Sequence, residues 1–502
     1  MKNKLYIFSV IALLFIMSNC GEGFLDEEPT RRLSPEQIAE AAESDPTVWN
    51  GFTAGLYSTM YITGTGGTTG HDDFGQKGYD IFSDMIVSDM VLAGTNYGWY
   101  TNIARFQATI NNTLNSAYQP WRYYYRIIFS ANSLIEVLGG NDAEQTDTDR
   151  QYIMGQAKAM RAYAYFYLSQ FYSTGYNTGT EAILPLYTDT QVPAQPLSTS
   201  EEVYNQIIDD LYEAVSLLEG FSRSAKNEVN QDVAKGLLCY ALAARGTNED
   251  LEEVVRLTDE IILAGRFRLL VENEVVALFD EEGSIINRDN AGFNNVASPS
   301  WMWGVDLTLD NELDLVSWWG QVDLFTYSYA WAGDPKTIDE GLYNSIREDD
   351  VRKGQFDPEA DLMPINKFYA PDRVIGGQRY IVTDYVYMRL EEMYLLNAEA
   401  NARLGADELA IDKLKELLEL RIDDYSYIDD LSGEALLDEI YFQTRVELWG
   451  EGKSYLAMKR LKKTITRGPN HLFNAGDSFA WDANELTFPI PQAELLNNPA
   501  LQ

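Results

Sequence analysis

Aromatic residues with polar neighbours, in segments that lack helical periodicity, are the residues of this sequence best suited to chemistry. They form two groups, which are Tyr97, Trp99, Tyr100 and Asn102 in an early segment and Trp318, Trp319, Tyr327, Tyr329 and Trp331 in a later one. A flat ring can stack on the apolar C–H face of a sugar, while amide, carboxylate or guanidinium groups at its edge bind the hydroxyls. Both groups are therefore candidate sugar-binding sites, with the rings as stacking residues and Asn102 as a polar one.

A second interpretation is that these rings pack the loops onto the rest of the protein. Trp301 and Trp303 favour it most, because Ser300–Leu309 alternates as a β-strand does. Trp318 and Trp319 are the strongest candidates for binding, since two adjacent bulky rings are not easily both buried.

Metal and cofactor sites have little support in the sequence. Zinc sites need clustered His and Cys, whereas His71 and His471 stand far apart and Cys239 lies inside an apolar run. The run HDD at 71–73 could bind a hard cation, although a solvated polar loop is the commoner role of such a run. Residues 61–70, YITGTGGTTG, are expected to form a flexible loop and lack the lysine of a phosphate-binding loop. We therefore expect no metal and no cofactor.

The chain is strongly acidic, with 77 acidic and 38 basic residues, a net charge of −39 and a pI near 4.3. Phosphate backbones repel such a chain, so no nucleic-acid partner is expected, and anionic lipid headgroups repel it as well. No Gly-x-Ser-x-Gly sequence is present for a serine nucleophile. A glycoside hydrolase stays open as an alternative, because the two carboxylates that it needs are paired in space and not in sequence.

The N-terminus predicts export and lipid attachment. Lys2 and Lys4 precede the apolar run Leu5–Met17, which is too short to span a membrane and ends near Cys20. A signal that stops at a cysteine resembles a bacterial lipoprotein box. Residues 1–19 are therefore expected to be a signal peptide, Cys20 the lipidated residue, and residues 20–37 a tether.

The segment Gln151–Tyr172 predicts the fold class. Its apolar residues recur at steps of three and four on more than one face, with alanines between the rings, as in an inner helix packed on both sides. Similar spacing predicts further helices at Val48–Met60, Trp121–Leu138, from Ser200, Val233–Ala244, Leu251–Ala264, Val386–Leu404, Glu408–Arg421 and Glu434–Leu461. The fold class is therefore all-α, with tetratricopeptide-like helical hairpins at about 38–265 and 386–465. Residues 81–101 are predicted as loops, and residues 267–385 as a loop-rich insertion that carries a few short strands.

Short motifs recur in order from Cys20 to Gln502: Phe24-Leu25-Asp26 with Pro29, Gln156–Tyr163 with Tyr165-Phe166, Leu184-Pro185-Leu186, Glu202-Val203-Tyr204, Arg389–Leu395 with Ala398-Glu399-Ala400, Arg445–Gly452, and Phe488–Pro491 with Asn498-Pro499. Together they resemble the SusD/RagB family of outer-membrane nutrient-binding lipoproteins. Ser454 and Ala457 depart from the Arg and Asp that are common in the family, which implies that an ion pair is absent there.

The resemblance implies a single binding domain over residues 38–502, lipid-anchored at the cell surface on the outer membrane. It also implies a non-catalytic protein that captures an oligosaccharide and delivers it to a SusC-like TonB-dependent transporter. The alternatives are a secreted glycoside hydrolase, a peptide-binding member of the family, and a tetratricopeptide-type scaffold for another protein.

Overall fold

The computed structural model describes residue 41 and residues 47–502. The predicted signal peptide at 1–19, the lipidation of Cys20 and the tether at 20–37 lie outside the described residues.

Helices make up most of the ordered structure. The helices are α1 Thr47–Ser58, α2 Gln76–Ile86, α3 Thr101–Ala104, α4 Gln107–Ile110, α5 Asn115–Val137, α6 Thr148–Tyr172, α7 Ser200–Leu217, α8 Gln231–Arg245, α9 Asn248–Leu263, α10 Glu272–Val275, α11 Trp318–Val322, α12 Glu340–Ser345, α13 Leu390–Arg403, α14 Asp407–Leu418, α15 Gly433–Glu447, α16 Lys453–Leu461 and α17 Gln492–Asn497. Short 3₁₀ turns lie at Leu309–Asn311, Val351–Gln355, Pro358–Ala360, Ser426–Asp430, Asn484–Leu486 and Pro499–Leu501.

Helix α6 is the inner helix that the sequence predicts. Every residue from Ile153 to Tyr172 is buried, and α6 packs against α5 and α7. Gly155 permits close approach to the end of α7, because a Cβ at this position would lie 2.9 Å from Leu218 Cγ. The stack continues through α8 and α9 to α13, on which α14 and α15 pack. The all-α fold class with helical hairpins is confirmed.

The strands are short and pair two by two. They are β1 Met90–Leu92, β2 Ala182–Pro185, β3 Leu197–Thr199, β4 Trp301–Val305, β5 Lys336–Ile338, β6 Tyr385–Arg389, β7 Ile465–Thr466 and β8 Ser478–Phe479. All four pairs are antiparallel: β1 with β5, β2 with β3, β4 with β6, and β7 with β8. In the first pair Met90 lies opposite Ile338, which brings the segment after β1 next to the segment before β5.

Three predicted elements are wrong. Residues 81–93 are not loop, since α2 and β1 occupy most of them. Residues 386–389 belong to β6, and the helix begins only at Leu390. The helix predicted at 434–461 is two helices, because the intervening Gly450 and Gly452 have φ of +82° and +71°, which an α-helix cannot contain.

Helix α2 has an apolar pattern of helical spacing, with Tyr79, Phe82 and Ile86 at steps of three and four, and all of its residues are buried, charged ones included. Lys77 Nζ lies 2.8 Å from Asp80 Oδ2 and donates a hydrogen bond to the carbonyl of Gly450. The polar face of an amphipathic helix is usually solvated, whereas in α2 it is buried as well.

The most characteristic family motifs meet in a buried ion cluster. Arg389 lies 2.8 Å from Glu447 and 2.9 Å from Glu451, and Arg421 lies 3.0 Å from Glu447. Burial would raise the pKa of Glu447, but the guanidiniums of Arg421, Arg389 and Arg352 outweigh it and hold that pKa well below its usual value. These motif residues therefore hold α13, α15 and their neighbours together.

Within residue 41 and residues 47–502, no helix is both long enough and apolar enough to span a bilayer. The same residues contain no group of three His, Cys, Asp or Glu side chains arranged to bind a metal ion.

A candidate aromatic binding cleft

A cleft of about 880 Å³ opens between three segments of the chain. Its walls come from the loop around residues 67–72, from residues 98–103 and from the N-terminal part of α5. We call this site the cleft. It contains Trp99, Tyr100 and Asn102 from the first predicted group.

Hydrogen bonds shape the loop wall of the cleft. The carboxylate of Asp73 accepts bonds from Gly66 N at 2.7 Å and from Thr68 N and Oγ1 at 2.9 Å each. Arg122 on α5 donates to the carbonyls of Gly66 and Gly67 at 2.8 Å each. The loop predicted to be flexible is therefore held in one conformation by side chains on both of its sides.

Trp99 supplies a flat surface in the cleft. The imidazole of His71 stacks on the indole with a centroid distance of 4.9 Å and an interplanar angle of 2°. Tyr329 fixes this imidazole, since its Oη lies 2.6 Å from His71 Nδ1. Because Trp99 is partly exposed and lines the cleft, the ring surface that His71 leaves uncovered is available to a ligand.

Several buried polar atoms of the cleft residues have no hydrogen-bond partner within the protein. They are Tyr100 Oη, Thr101 Oγ1, Ser116 Oγ and Gln119 Oε1. The amide nitrogen of Gln119 is used, since it donates to Thr68 Oγ1 at 3.0 Å and to Asp72 Oδ1 at 3.1 Å. Buried polar groups are normally paired, by water or by a ligand where not by protein. All four atoms are shielded from solvent, so a ligand in the cleft does not reach them directly and they do not define its chemistry.

Asp72 is the one carboxylate among the residues that line the cleft. Burial raises its pKa, although the hydrogen bond from Gln119 acts in the opposite direction. A carboxylate in this position can accept hydrogen bonds from hydroxyl groups of a bound sugar.

The first predicted group is largely assembled at the cleft. Trp99 and Asn102 line it with accessible surface, whereas Tyr100 lines it but is 2% exposed. Tyr97 is exposed beside the cleft, and its ring meets the edge of Tyr329 at 5.1 Å.

Trp318 and Trp319 do not meet the expectation for stacking residues, because each is 1% exposed. The premise that adjacent rings cannot both be buried is wrong here. Both lie in α11, where successive side chains diverge by about 100° and so enter different parts of the core. Trp318 packs edge-on to Phe368 and beneath the ammonium of Lys77, and Trp319 also contacts Phe368.

The rest of the second group divides in two. Tyr329 is buried and reaches the cleft through His71. Tyr327 and Trp331 form a separate pair with ring centroids 5.4 Å apart. Trp301 and Trp303 lie in β4 and are buried, in agreement with the interpretation that these rings pack against the rest of the protein.

Sequence reasoning missed the polar half of the cleft. Ser116 and Gln119 lie in the first turns of α5, ahead of the predicted helix start at Trp121, and no periodic signal marks them. In the HDD run at 71–73, for which a solvated polar loop was the favoured interpretation, His71 stacks on Trp99 and Asp73 accepts hydrogen bonds from the preceding loop.

Two family models match the chain. One, described as "Starch-binding associating with outer membrane", matches residues 76–245, and the SusD family model matches residues 325–502. A SusD-like protein of Bacteroides ovatus is 26% identical over 251 residues, which are 49% of this chain and 40% of that protein. SusD-like protein P38 of Formosa agariphila is 27% identical over 79% of this chain and 82% of its own length. A further relative, SusD-like protein P25 of that organism, is 30% identical over 32% of this chain and 29% of its own length. This chain thus spans less than half of the length of two of these three relatives.

Solved structures agree in fold. A SusD-like carbohydrate binding protein from Bacteroides vulgatus superposes with a TM-score of 0.73 at 25% identity, over 92% of this chain and 97% of that one. A structure solved with a xylogluco-oligosaccharide superposes with a TM-score of 0.61 at 17% identity, over 90% and 98% of the two chains. The matched models together cover more than half of the sequence. The family motifs that lie in the described residues are part of this fold, whereas the motif at Phe24–Pro29 lies outside them. The chain belongs to the SusD/RagB family.

Proposed function

We propose that this protein is a non-catalytic, cell-surface glycan-binding lipoprotein. It captures an oligosaccharide in the cleft and delivers it to a SusC-like TonB-dependent transporter of the outer membrane. Cys20 carries the lipid that anchors it.

The cleft is the observation that carries this proposal. It combines the partly exposed indole of Trp99 with accessible polar side chains, namely the amide of Asn102 and the carboxylate of Asp72. A sugar ring offers the complementary chemistry, namely an apolar face and a rim of hydroxyl groups.

The same cleft argues against the glycoside hydrolase alternative. Hydrolysis of a glycosidic bond uses two carboxyl groups that face each other across the bond, about 5–10 Å apart. Among the residues lining the cleft only Asp72 carries a carboxyl group. The neighbouring Asp73 is fully buried, and both of its oxygens accept hydrogen bonds from the loop.

The comparisons support glycan binding and association with the outer membrane in general terms. One matching family model is described by starch binding and outer-membrane association, and one structural relative at 25% identity is described as carbohydrate binding. Lipid anchoring at Cys20 and delivery to a transporter rest on the N-terminal sequence and on family membership.

Calorimetric titration with a panel of neutral polysaccharides tests the binding. Soluble starch, xyloglucan, laminarin and galactomannan are the probes, and at least one should bind saturably without release of reducing ends. Trp99→Ala should raise its Kd at least about ten-fold, which is the loss of roughly 1.4 kcal/mol of ring contact. Trp99→Phe should have a smaller effect. Tyr212→Ala, which removes a more exposed ring from the surface of α7, should have none.

If Trp99→Ala and Tyr212→Ala bound the glycan with equal affinity, the cleft would not be the glycan-binding site. Release of reducing ends would show that the protein is a glycoside hydrolase. For anchoring and delivery, Cys20→Ala should release the protein from outer-membrane fractions, and the lipidated protein should co-purify with a TonB-dependent transporter.

A further inference from the structure

Three buried carboxylates belong to α2 and to the turn that follows it, and two cations face them. Lys77 Nζ lies 2.8 Å from Asp80 Oδ2, and Arg445 Nη2 lies 2.7 Å from Asp89 Oδ1. Asp84 is the third carboxylate, and none of the described residues forms an ion pair with it. Asp84 and Asp89 are both 0% exposed, so bulk water does not solvate their charges.

The end of α2 brings Asp84 and Asp89 together. The backbone N–H of Asp89 donates to the carbonyl of Asp84 at 2.9 Å, and Ser88 between them has φ +70°, which is a common way for a helix to end. Ser454 of α16 faces both side chains with a hydroxyl group and no charge, and its Oγ lies 3.5 Å from Asp84 Oδ1. The Oδ2 atoms of both carboxylates have no hydrogen-bond partner within the described protein. Two groups of like charge therefore share one buried site.

The elements around α2 supply no further cation for Asp84 within the part of the chain that the structure describes. Neither α3 nor β1, which pack on α2 beside α16, contains a charged residue. The other titratable groups of the surroundings are engaged elsewhere: Glu451 with Arg389 at 2.9 Å, Lys453 with the carbonyl of Tyr387 at 2.9 Å, Tyr455 with that of Leu486 at 2.8 Å, Lys459 with that of Ser173 at 2.5 Å, Arg460 with Glu399 at 2.7 Å, Arg467 with the carbonyl of Ala104 at 2.5 Å, and Asp339 with His471 at 3.2 Å. A buried carboxylate that lacks a partner takes up a proton instead of keeping its charge.

We infer that Asp84 carries a proton in the folded protein, and that ionisation of this acid weakens the packing of α2 against α16. As a neutral acid Asp84 has an O–H to donate, and Oδ2 of Asp89 is an acceptor without a partner. The charges then balance, with Lys77 on Asp80, Arg445 on Asp89 and the proton on Asp84. Burial raises the pKa of Asp84 well above its usual value, and the negative charge of Asp89 acts in the same direction. The inference concerns the scaffold and does not depend on glycan binding.

This proton makes stability fall as the pH rises. In the unfolded chain an aspartic acid has a pKa of about 3.9, so the folded state binds the proton of Asp84 more tightly than the unfolded state does. The stability that the proton contributes is complete below about pH 4 and is lost as the pH rises through the pKa of the folded state. Over that range one such proton raises the unfolding equilibrium constant by up to about ten-fold per pH unit.

Urea unfolding at pH 5 and pH 7 tests this with Asp84→Asn, whose amide has the shape of the protonated acid and cannot ionise. Between the two pH values the unfolding equilibrium constant of the wild type should rise at least about ten-fold more than that of the variant. Burial also raises the pKa of Asp323 and of Asp384 to about 6, but both residues are present in each protein and cancel in the comparison. Asp232→Asn is the matched control and should keep the pH dependence of the wild type, because Asp232 is 2% exposed but accepts a hydrogen bond from Arg266 Nε at 2.6 Å.

Infrared spectroscopy detects the proton directly, because a protonated carboxyl group has a C=O stretching band that carboxylates lack. At pH 8 Asp323 and Asp384 are ionised, since the pKa of each is about 6. The band should then be stronger in the wild type and in Asp232→Asn than in Asp84→Asn, by the intensity of one carboxyl group.

Any of four results would overturn the inference. The wild type and Asp84→Asn could show parallel pH dependence, or the same infrared band at pH 8. Failure of Asp84→Asn to fold would show that α2 requires a charged carboxylate at this position. A melting temperature that falls on adding EDTA, or on replacing sodium by choline, in the wild type and not in Asp84→Asn would show that a metal ion balances the charge in place of a proton. The glycan titrations test the proposed function separately, and none of these four results bears on it.

Discussion

At the scale of single residues, a buried lysine lies close to the wall of the cleft. Lys336 is fully buried, donates hydrogen bonds to Gln321 Oε1 at 2.8 Å and to the carbonyl of Asp334 at 3.1 Å, and lies 5.5 Å from the centre of the Tyr100 ring. None of these contacts is a direct ion pair with a carboxylate. Burial lowers the pKa of Lys336 to about 7, and the nearby Asp334 only partly opposes this.

This lysine makes stability depend on pH in a defined direction. In the unfolded chain its pKa is about 10.4, so the unfolded state binds the proton more tightly than the folded state does. The penalty for burying the charge is therefore complete below about pH 7 and is relieved as the pH rises toward 10. We expect the free energy of unfolding of the wild type to gain about 2 kcal/mol more between pH 6 and pH 9 than that of Lys336→Met.

Urea unfolding at both pH values measures this difference. Comparing the change between two pH values within each protein cancels the packing and hydrogen bonds that the methionine alters. Parallel pH dependence of the two proteins would show that Lys336 keeps its ordinary pKa in the folded state.

At the scale of elements, two helical glycines test how tightly the inner helix is packed, because one is crowded by neighbouring side chains and the other faces open space. Gly155 in α6 faces α7, and an added Cβ would lie 2.9 Å from Leu218 Cγ and 3.0 Å from Leu217 Cβ. Gly55 in α1 has nothing within 4 Å of the same position. Gly155→Ala should destabilise the protein by about 1–3 kcal/mol through overpacking, whereas Gly55→Ala should stabilise it by about 0.5–1 kcal/mol through helix propensity.

Thermal melts of both variants beside the wild type provide the measurement. A higher melting temperature for Gly155→Ala would mean that α6 and α7 are packed more loosely than the structure shows.

The helices and strands also show which parts of the fold could be predicted from the sequence. Periodicity predicted α5 to α9 and α14, because each presents at least one apolar stripe in the spacing of a helix. It also fits α2, where Tyr79, Phe82 and Ile86 recur at steps of three and four, so the loop predicted from residue 81 misinterpreted this pattern. It failed at β6, where a buried strand runs directly into α13 and both read as one apolar segment.

The residue types of the candidate site could be predicted from the sequence, but the burial of each side chain could not. Trp99 and Asn102 were predicted because rings and amides in an aperiodic segment are unusual, and both line the cleft. Trp318 and Trp319 were misassigned, because burial of adjacent rings depends on the short helix α11 and on Phe368, which lies far along the chain. Gln119 gave no signal, since its role depends on a loop some 50 residues earlier in the sequence.

At the scale of the whole molecule, charge should select among glycans. The net charge of the full chain is −39. The residues that line the cleft include one carboxylate, Asp72, and one cation. That cation is Arg122, whose guanidinium donates to the carbonyls of Gly66 and Gly67 and lies 4.4 Å from the centre of the Tyr118 ring. An anionic glycan would therefore meet a repulsive field with its one nearby cation already engaged.

We expect a neutral polysaccharide to bind with a Kd that changes less than about two-fold between 50 and 500 mM NaCl, because ring stacking and neutral hydrogen bonds are weakly screened. Its sulfated derivative, with the same backbone and length, should bind at least about ten-fold more weakly at 50 mM, and the gap should narrow as salt screens the repulsion. Paired titrations of starch and sulfated starch, or of whichever panel member binds, measure both effects. Tighter binding of the sulfated form at low salt would mean that Arg122 is free to pair with ligand anions and that the acidic surface plays no part in selection.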